Sequence, residues 1–145
     1  MEQLIRNFHV KLQEMCDCYM DTDFQAELAR PITVQSASME DEAMRYFALL
    51  ILYTLTVKAP QLSVKKKKEA VRVTVSSLNE EKTLTPPPVE IASKIFEIIR
   101  AITHIEKDKG ELTLALGLRN ERVEVQVKLK KTENDESMKL IFPEL

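Results

Sequence analysis

Two histidines, two cysteines and a run of four lysines are the groups in this chain whose types and spacing could do chemistry. His9 lies at the edge of a helical apolar stripe, where an imidazole could accept a phosphoryl group as nucleophile. His9 is therefore a candidate phosphoacceptor. Val10 follows it rather than an acid, and a lone histidine without base or orienting group is more simply a half-covered boundary residue. His104 falls opposite an isoleucine stripe, near Arg100 and Lys107, as expected of a solvated helix face.

Cys16 and Cys18 invite a redox or metal reading, but residues two apart on a helix point about 200° away from each other, so sharing a metal or a disulfide is awkward. Cys16 reads as a small core residue and Cys18 as a partly exposed thiol. Neither CxxC nor HxxxH supports zinc. Gly110 and Gly117 are the two glycines, so neither GxxxxGK[ST] nor GxGxxG occurs. Glu80-Glu81 and Asp135-Glu136 fall in polar connectors, with nothing to separate their pKa values into an acid and a base. Nucleophile, base and cofactor motif are missing together, so the expectation is a protein that is not an enzyme and carries no cofactor and no metal.

Lys65-Lys66-Lys67-Lys68 and Arg72 are the strongest electrostatic feature. With Lys128 and Lys130 they could contact nucleic-acid phosphates, but no aromatic residues interleave with them as stacking platforms. A solvated loop without a binding role explains the run more simply, and an acidic protein partner would serve as well as nucleic acid.

A chain of 145 residues can bury a core without disulfide or metal, and one domain spanning 1–145 is expected, with a helical subregion 1–60 and a sheet subregion 61–145. The start, Met1 to Arg6, lacks the basic, apolar and small-residue regions of a secretory signal, and two closely spaced cysteines suit a reducing compartment. A cytoplasmic protein is expected. The net charge of −2 hides segregation: residues 1–57 carry nine acids and four bases, residues 58–72 six bases and one acid.

Leu4, Ile5, Phe8, Leu12, Met15, Cys16 and Tyr19 recur at three- and four-residue steps, which predicts a helix over 2–29. Pro31 ends it and a connector runs to Ser38. Ser38 can cap a second helix whose start, Glu40-Asp41-Glu42, suits the helix dipole. From Ala43 to Val57 the one charge is Arg45, so this helix must be covered on most sides. Fifteen residues fall short of the ~20 needed to span a bilayer, so a core or dimer-forming helix is expected, although a strand within 46–57 fits the composition too. Phe47, Leu50 and Ile51 are the candidates for a homodimer contact.

Alternation of Val71, Val73 and Val75 predicts the first strand. Pro86-Pro87-Pro88 opens a third helix striped by Ile91, Ile95, Ile98, Ile99, Ile102 and Ile105, with Gly110 as its stop. A two-residue turn at Asn120-Glu121 would pair Leu118 with Val123, Leu116 with Val125, Leu114 with Val127 and Leu112 with Leu129 on one apolar face. Met138, Leu140 and Phe142 supply a last strand after a polar turn at 132–137. The predicted fold is α+β: a two-helix N-terminal hairpin, then a strand, a long helix and a three-stranded antiparallel meander forming one sheet with helices on one face.

From about Ala70 to Lys131 the pattern of strand (Val71–Val75), long helix (Val89–Glu106), Gly110 and alternating hairpin (Glu111–Leu129) resembles the ATP-binding domain of sensor histidine kinases. In that family a helical dimerisation hairpin bearing the phosphorylated histidine precedes the domain, as residues 2–58 would. Val89–Lys109 has no asparagine to hold a metal and no D-x-G follows the hairpin, so the resemblance implies a phosphotransfer or adaptor protein that keeps the fold without ATP binding. The function expected is a non-catalytic protein–protein interaction or regulatory module, a homodimer without membrane association whose protein partner the sequence does not name, acting as an adaptor or phosphotransfer partner in bacterial-type signalling; the alternative is nucleic-acid binding through Lys65–Lys68.

Overall fold

A computed structural model describes residues 2–30, 39–118 and 121–143 of the chain. The described elements run α1 (Glu2–Tyr19), α2 (Phe24–Ala29), α3 (Met39–Thr56), β1 (Gln61–Lys67), β2 (Ala70–Ser76), β3 (Glu81–Leu84), α4 (Val89–Thr103), β4 (Lys109–Leu118), β5 (Glu121–Lys131) and β6 (Asp135–Ile141). The α+β class stands, but the sheet has six antiparallel strands in the order β3-β2-β1-β6-β5-β4, not one strand plus a three-stranded meander. Two three-stranded halves, β1-β2-β3 and β4-β5-β6, meet at the centre where β1 pairs with β6. The resemblance in element order rested on one strand before the long helix; three precede it.

The expected helix over 2–29 is two helices. Thr22 Oγ1 donates to the Tyr19 carbonyl as α1 ends, and Asp23 accepts from Ala26 N as the N-cap of α2. Short polar side chains that compete for backbone groups favour a break over helix continuation. The Ser38 cap lies outside the described residues. Residues 46–56 are helical, not a strand, and α3 closes with Lys58 in the left-handed region (φ 58°). Ala59 N then reaches the Thr54 carbonyl and Lys58 N the Leu55 carbonyl, a Schellman closure.

Every residue of α3 from Ala43 to Leu55 is buried. It is the central rod of the helical layer, packed on α1, α2 and α4 and on β1. That explains an apolar girth too wide for one sheet contact. Arg45, its one charge after the first turn, is held by Glu42 at 3.0 Å and Glu27 at 3.8 Å, so α2 serves partly as cover for a buried guanidinium. Among the described residues no helix is long and apolar enough to cross a membrane.

The helices cover one face of the sheet, formed by residues such as Leu62, Val64, Val73, Val125, Val127 and Leu140, all buried. In β4–β5 the register is Leu118↔Glu121, Leu116↔Val123, Leu114↔Val125 and Leu112↔Val127, two residues from the expected pairing. The connection thus falls on residues 119–120, outside the described residues, rather than at Asn120-Glu121. A slip of two keeps every side chain on its face, so the apolar pattern could not distinguish the two registers.

Gly110 is not a helix stop. Helix α4 ends at His104, in the left-handed region at φ 60°, and Gly110 sits in β4. A Cβ there would come within 2.7 Å of Ile105 Cγ2, so glycine lets β4 approach the chain leaving α4.

Candidate anion-binding face

Strand alternation divides the lysine run. Lys65 and Lys67 point to the uncovered face of the sheet, Lys66 points to the helices, and Lys68 occupies the β1–β2 turn with φ 51°. The four do not act as one loop patch, because β1 carries three of them as a strand. Lys66 is built into the fold: its Nζ donates to Ser93 Oγ at 2.9 Å, lies 6.0 Å from the Phe96 ring centre and is 3.7 Å from Glu136. Glu136, itself buried, also accepts from Arg100 Nε at 3.3 Å, and Arg100 donates onward to the carbonyls of Ile105 and Lys107. This cluster ties α4 to β1 and β6, with Lys66 on the helix-covered side of the sheet.

The uncovered face collects cations from five strands. Beside Lys65 and Lys67 of β1 it bears Arg72 of β2, Lys109 of β4, Arg122, Lys128 and Lys130 of β5, and Lys139 of β6. These eight stand against four acids on the same face, Glu81, Glu111, Glu124 and Asp135, in a chain whose net charge is −2. Three acids are already engaged: Glu81 with Arg72 at 3.9 Å, Glu124 with Arg122 at 3.5 Å and Glu111 with Lys128 at 4.0 Å. Among the described residues, Lys65, Lys67, Lys109, Lys130 and Lys139 have no acid within ion-pair distance, and all five are exposed.

The register sets these ammonium groups side by side. Lys65, Ser137, Lys130 and Lys109 are consecutive across β1, β6, β5 and β4, and Ser63, Lys139, Lys128 and Glu111 form the next row. With strands ~4.8 Å apart, each row spans roughly 15 Å. A shallow depression of about 350 Å³ lies over these rows. Lys109, Lys139, Ser63 and Ser137 were missed as site residues. Lys139 alternates with Met138 and Leu140 and so reads as outward-facing, but nothing in the sequence says that β6 lies between β1 and β5.

The other candidates are placed as follows. His9 Nε2 donates to the Ala115 carbonyl at 3.1 Å, and one turn on Gln13 pairs both the N–H and the carbonyl of Gly117. Side chains of α1 thereby satisfy part of the free edge of β4, and the His9 ring is engaged through Nε2. Cys16 is buried and its thiol is pushed up to about 12, first by burial and then by the neighbouring Asp17 carboxylate; Cys18 is exposed. His104 is exposed at the end of α4. Phe47 and Leu50, named above as candidates for a homodimer contact, are wholly buried and Ile51 is 1% exposed within the chain's own core. Glu81 and Asp135 lie in strands, not connectors, and Glu136 is the buried ion-pair acid.

Among the described residues no three His, Cys, Asp or Glu side chains gather as a metal site. A second hollow, of about 480 Å³, lies at the end of α3 between Leu55, Ala59, Leu78 and Phe142, away from the cationic face.

No family model matches the chain, and no curated protein matches its sequence.

Proposed function

We propose that this chain is a non-catalytic interaction or regulatory module that docks an acidic protein partner on the uncovered face of its sheet. The observation that carries the reading is the concentration of eight cations on one face of an acidic protein, five of the lysines having no acid within ion-pair distance. Complementary charge across an interface steers encounter and selects partners. The burial of Phe47, Leu50 and Ile51 supports a partner met at the sheet rather than a homodimer built on α3. The hydrogen bond from His9 to Ala115 favours an adaptor over a phosphotransfer protein, since that role would first have to free the ring.

Nucleic acid is the second reading, favoured by the lysine rows themselves. It gains no support from stacking: the outward positions of the strands hold Lys, Arg, Ser, Thr, Gln and acids, with Ala70, Ala115, Gly117 and Ile141, but no aromatic residue. Interleaved acids also suit a protein of mixed charge better than a continuous phosphate backbone.

The test is fluorescence anisotropy of a glutamate-rich peptide and of duplex DNA against wild type and Lys65→Glu/Lys130→Glu. The expected result is saturable peptide binding that weakens with salt and drops at least tenfold in the double variant. Tighter binding of the duplex, with a steep salt dependence, would transfer the function to nucleic acid.

A further inference from the structure

The cationic face contains two pairings that a sheet ordinarily avoids. Lys128 stands directly opposite Lys139 in β5–β6, and Lys109 directly opposite Lys130 in β4–β5. Like charges facing each other across a ladder destabilise it, and of these four lysines Lys128 alone has an acid within ion-pair distance, Glu111 at 4.0 Å. A local rule broken twice in adjacent pairs, with that single 4.0 Å contact in compensation, marks a position kept for a ligand rather than for the fold.

The side chains between these pairs add hydrogen-bond donors. Ser63 opposes Lys139 and Lys65 opposes Ser137, so lysine and serine alternate as a checkerboard on β1 and β6, with Lys128 and Lys130 in the next column. This block lines the depression of about 350 Å³. Four ammonium groups in so small an area exceed what one carboxylate can neutralise. A phosphate monoester carries nearly two charges and three acceptor oxygens, and can take hydrogen bonds from lysine and hydroxyl donors at once.

We infer that the block of Ser63, Lys65, Lys128, Lys130, Ser137 and Lys139 is a phosphate subsite, and that the acidic partner is recognised there through a phosphorylated serine or threonine. This rests on the docking function proposed above and names the group that docks. No covalent step is involved.

The experiment compares three fluorescent peptides binding to the full chain: one acidic and doubly phosphorylated, one with glutamates added until the total charge matches, and one with unmodified serines. Amide shifts are followed in parallel during titration with inorganic pyrophosphate. The phosphopeptide is expected to bind at least tenfold tighter than its charge-matched counterpart, and pyrophosphate to shift Ser63, Lys65, Ser137 and Lys139 saturably. Lys139→Glu should abolish that preference while raising the melting temperature, because it turns the Lys128 pairing from repulsive to attractive. A variant that merely misfolds would lower it. Equal binding of phosphorylated and charge-matched peptides overturns the phosphate subsite and leaves the acidic-partner function intact. Failure of all three peptides overturns both, and so does duplex DNA outcompeting the phosphopeptide.

Discussion

At the scale of single residues, the two cysteines show how burial decides chemistry. Cys16 holds its proton to about 12, whereas an unfolded thiol releases it near 9.0. Between those values the unfolded chain binds fewer protons than the folded one, so stability falls as pH rises, by about 1.4 kcal/mol per pH unit at full effect, and is untouched below 9.0. Tyr46, also raised by burial, adds a second loss at higher pH. Urea midpoints at pH 8, 9.5 and 10.5 should show wild type approaching Cys16→Ala as pH rises; parallel curves would disprove the assignment. In the native state a thiol reagent should modify Cys18 alone. Gly110 allows a second residue-level prediction. The Cβ of Gly110→Ala would enter the space of Ile105 Cγ2, costing about 1–3 kcal/mol by overpacking, and Ile105→Ala should cancel most of that penalty in a double-mutant cycle.

At the scale of elements, what was legible depended on whether apolar periodicity was present. The isoleucines of α4 and the leucine-valine alternation of β4 and β5 set their elements and faces plainly, because burial on one side leaves a periodic mark. Strand β1 left none: its inward positions are Leu62, Val64 and Lys66, and lysine is poor strand material that reads as loop. Strand β3, four residues at the sheet edge, is too short to show a period. Glu136 explains how Lys66 can face inward, since it provides the charge that this lysine and Arg100 share. Replacing Glu136 by Ala should strand two cations in a partly buried site and destabilise by roughly 3–5 kcal/mol, far more than the same change at exposed Glu133. A loss below about 1 kcal/mol in chemical denaturation would show the cluster to be incidental.

At the scale of the whole molecule, the site was illegible for a different reason. Residue types and outward alternation at Lys128, Lys130 and Lys139 are visible in the sequence, but the convergence of β1, β5 and β6 is a matter of strand order, and β6 reaches the centre only because the two halves of the sheet close there. The same closure decides what α3 can do. A nearly all-apolar helix suggested an oligomer, yet the sheet, α1, α2 and α4 together bury it from Ala43 to Leu55. The protein should therefore elute as a single chain of 16.7 kDa in light scattering across a micromolar dilution series. Phe47→Asp discriminates further. In a dimer made through α3 this change would yield a folded monomer; in the packing described here it buries a carboxylate at a position with 0% exposure. The cost, several kcal/mol or more, is comparable to the ~5–15 kcal/mol stability of a whole domain. Phe47→Asp should therefore abolish the cooperative thermal transition, and a soluble, folded Phe47→Asp monomer derived from a wild-type dimer would show that α3 opens outward.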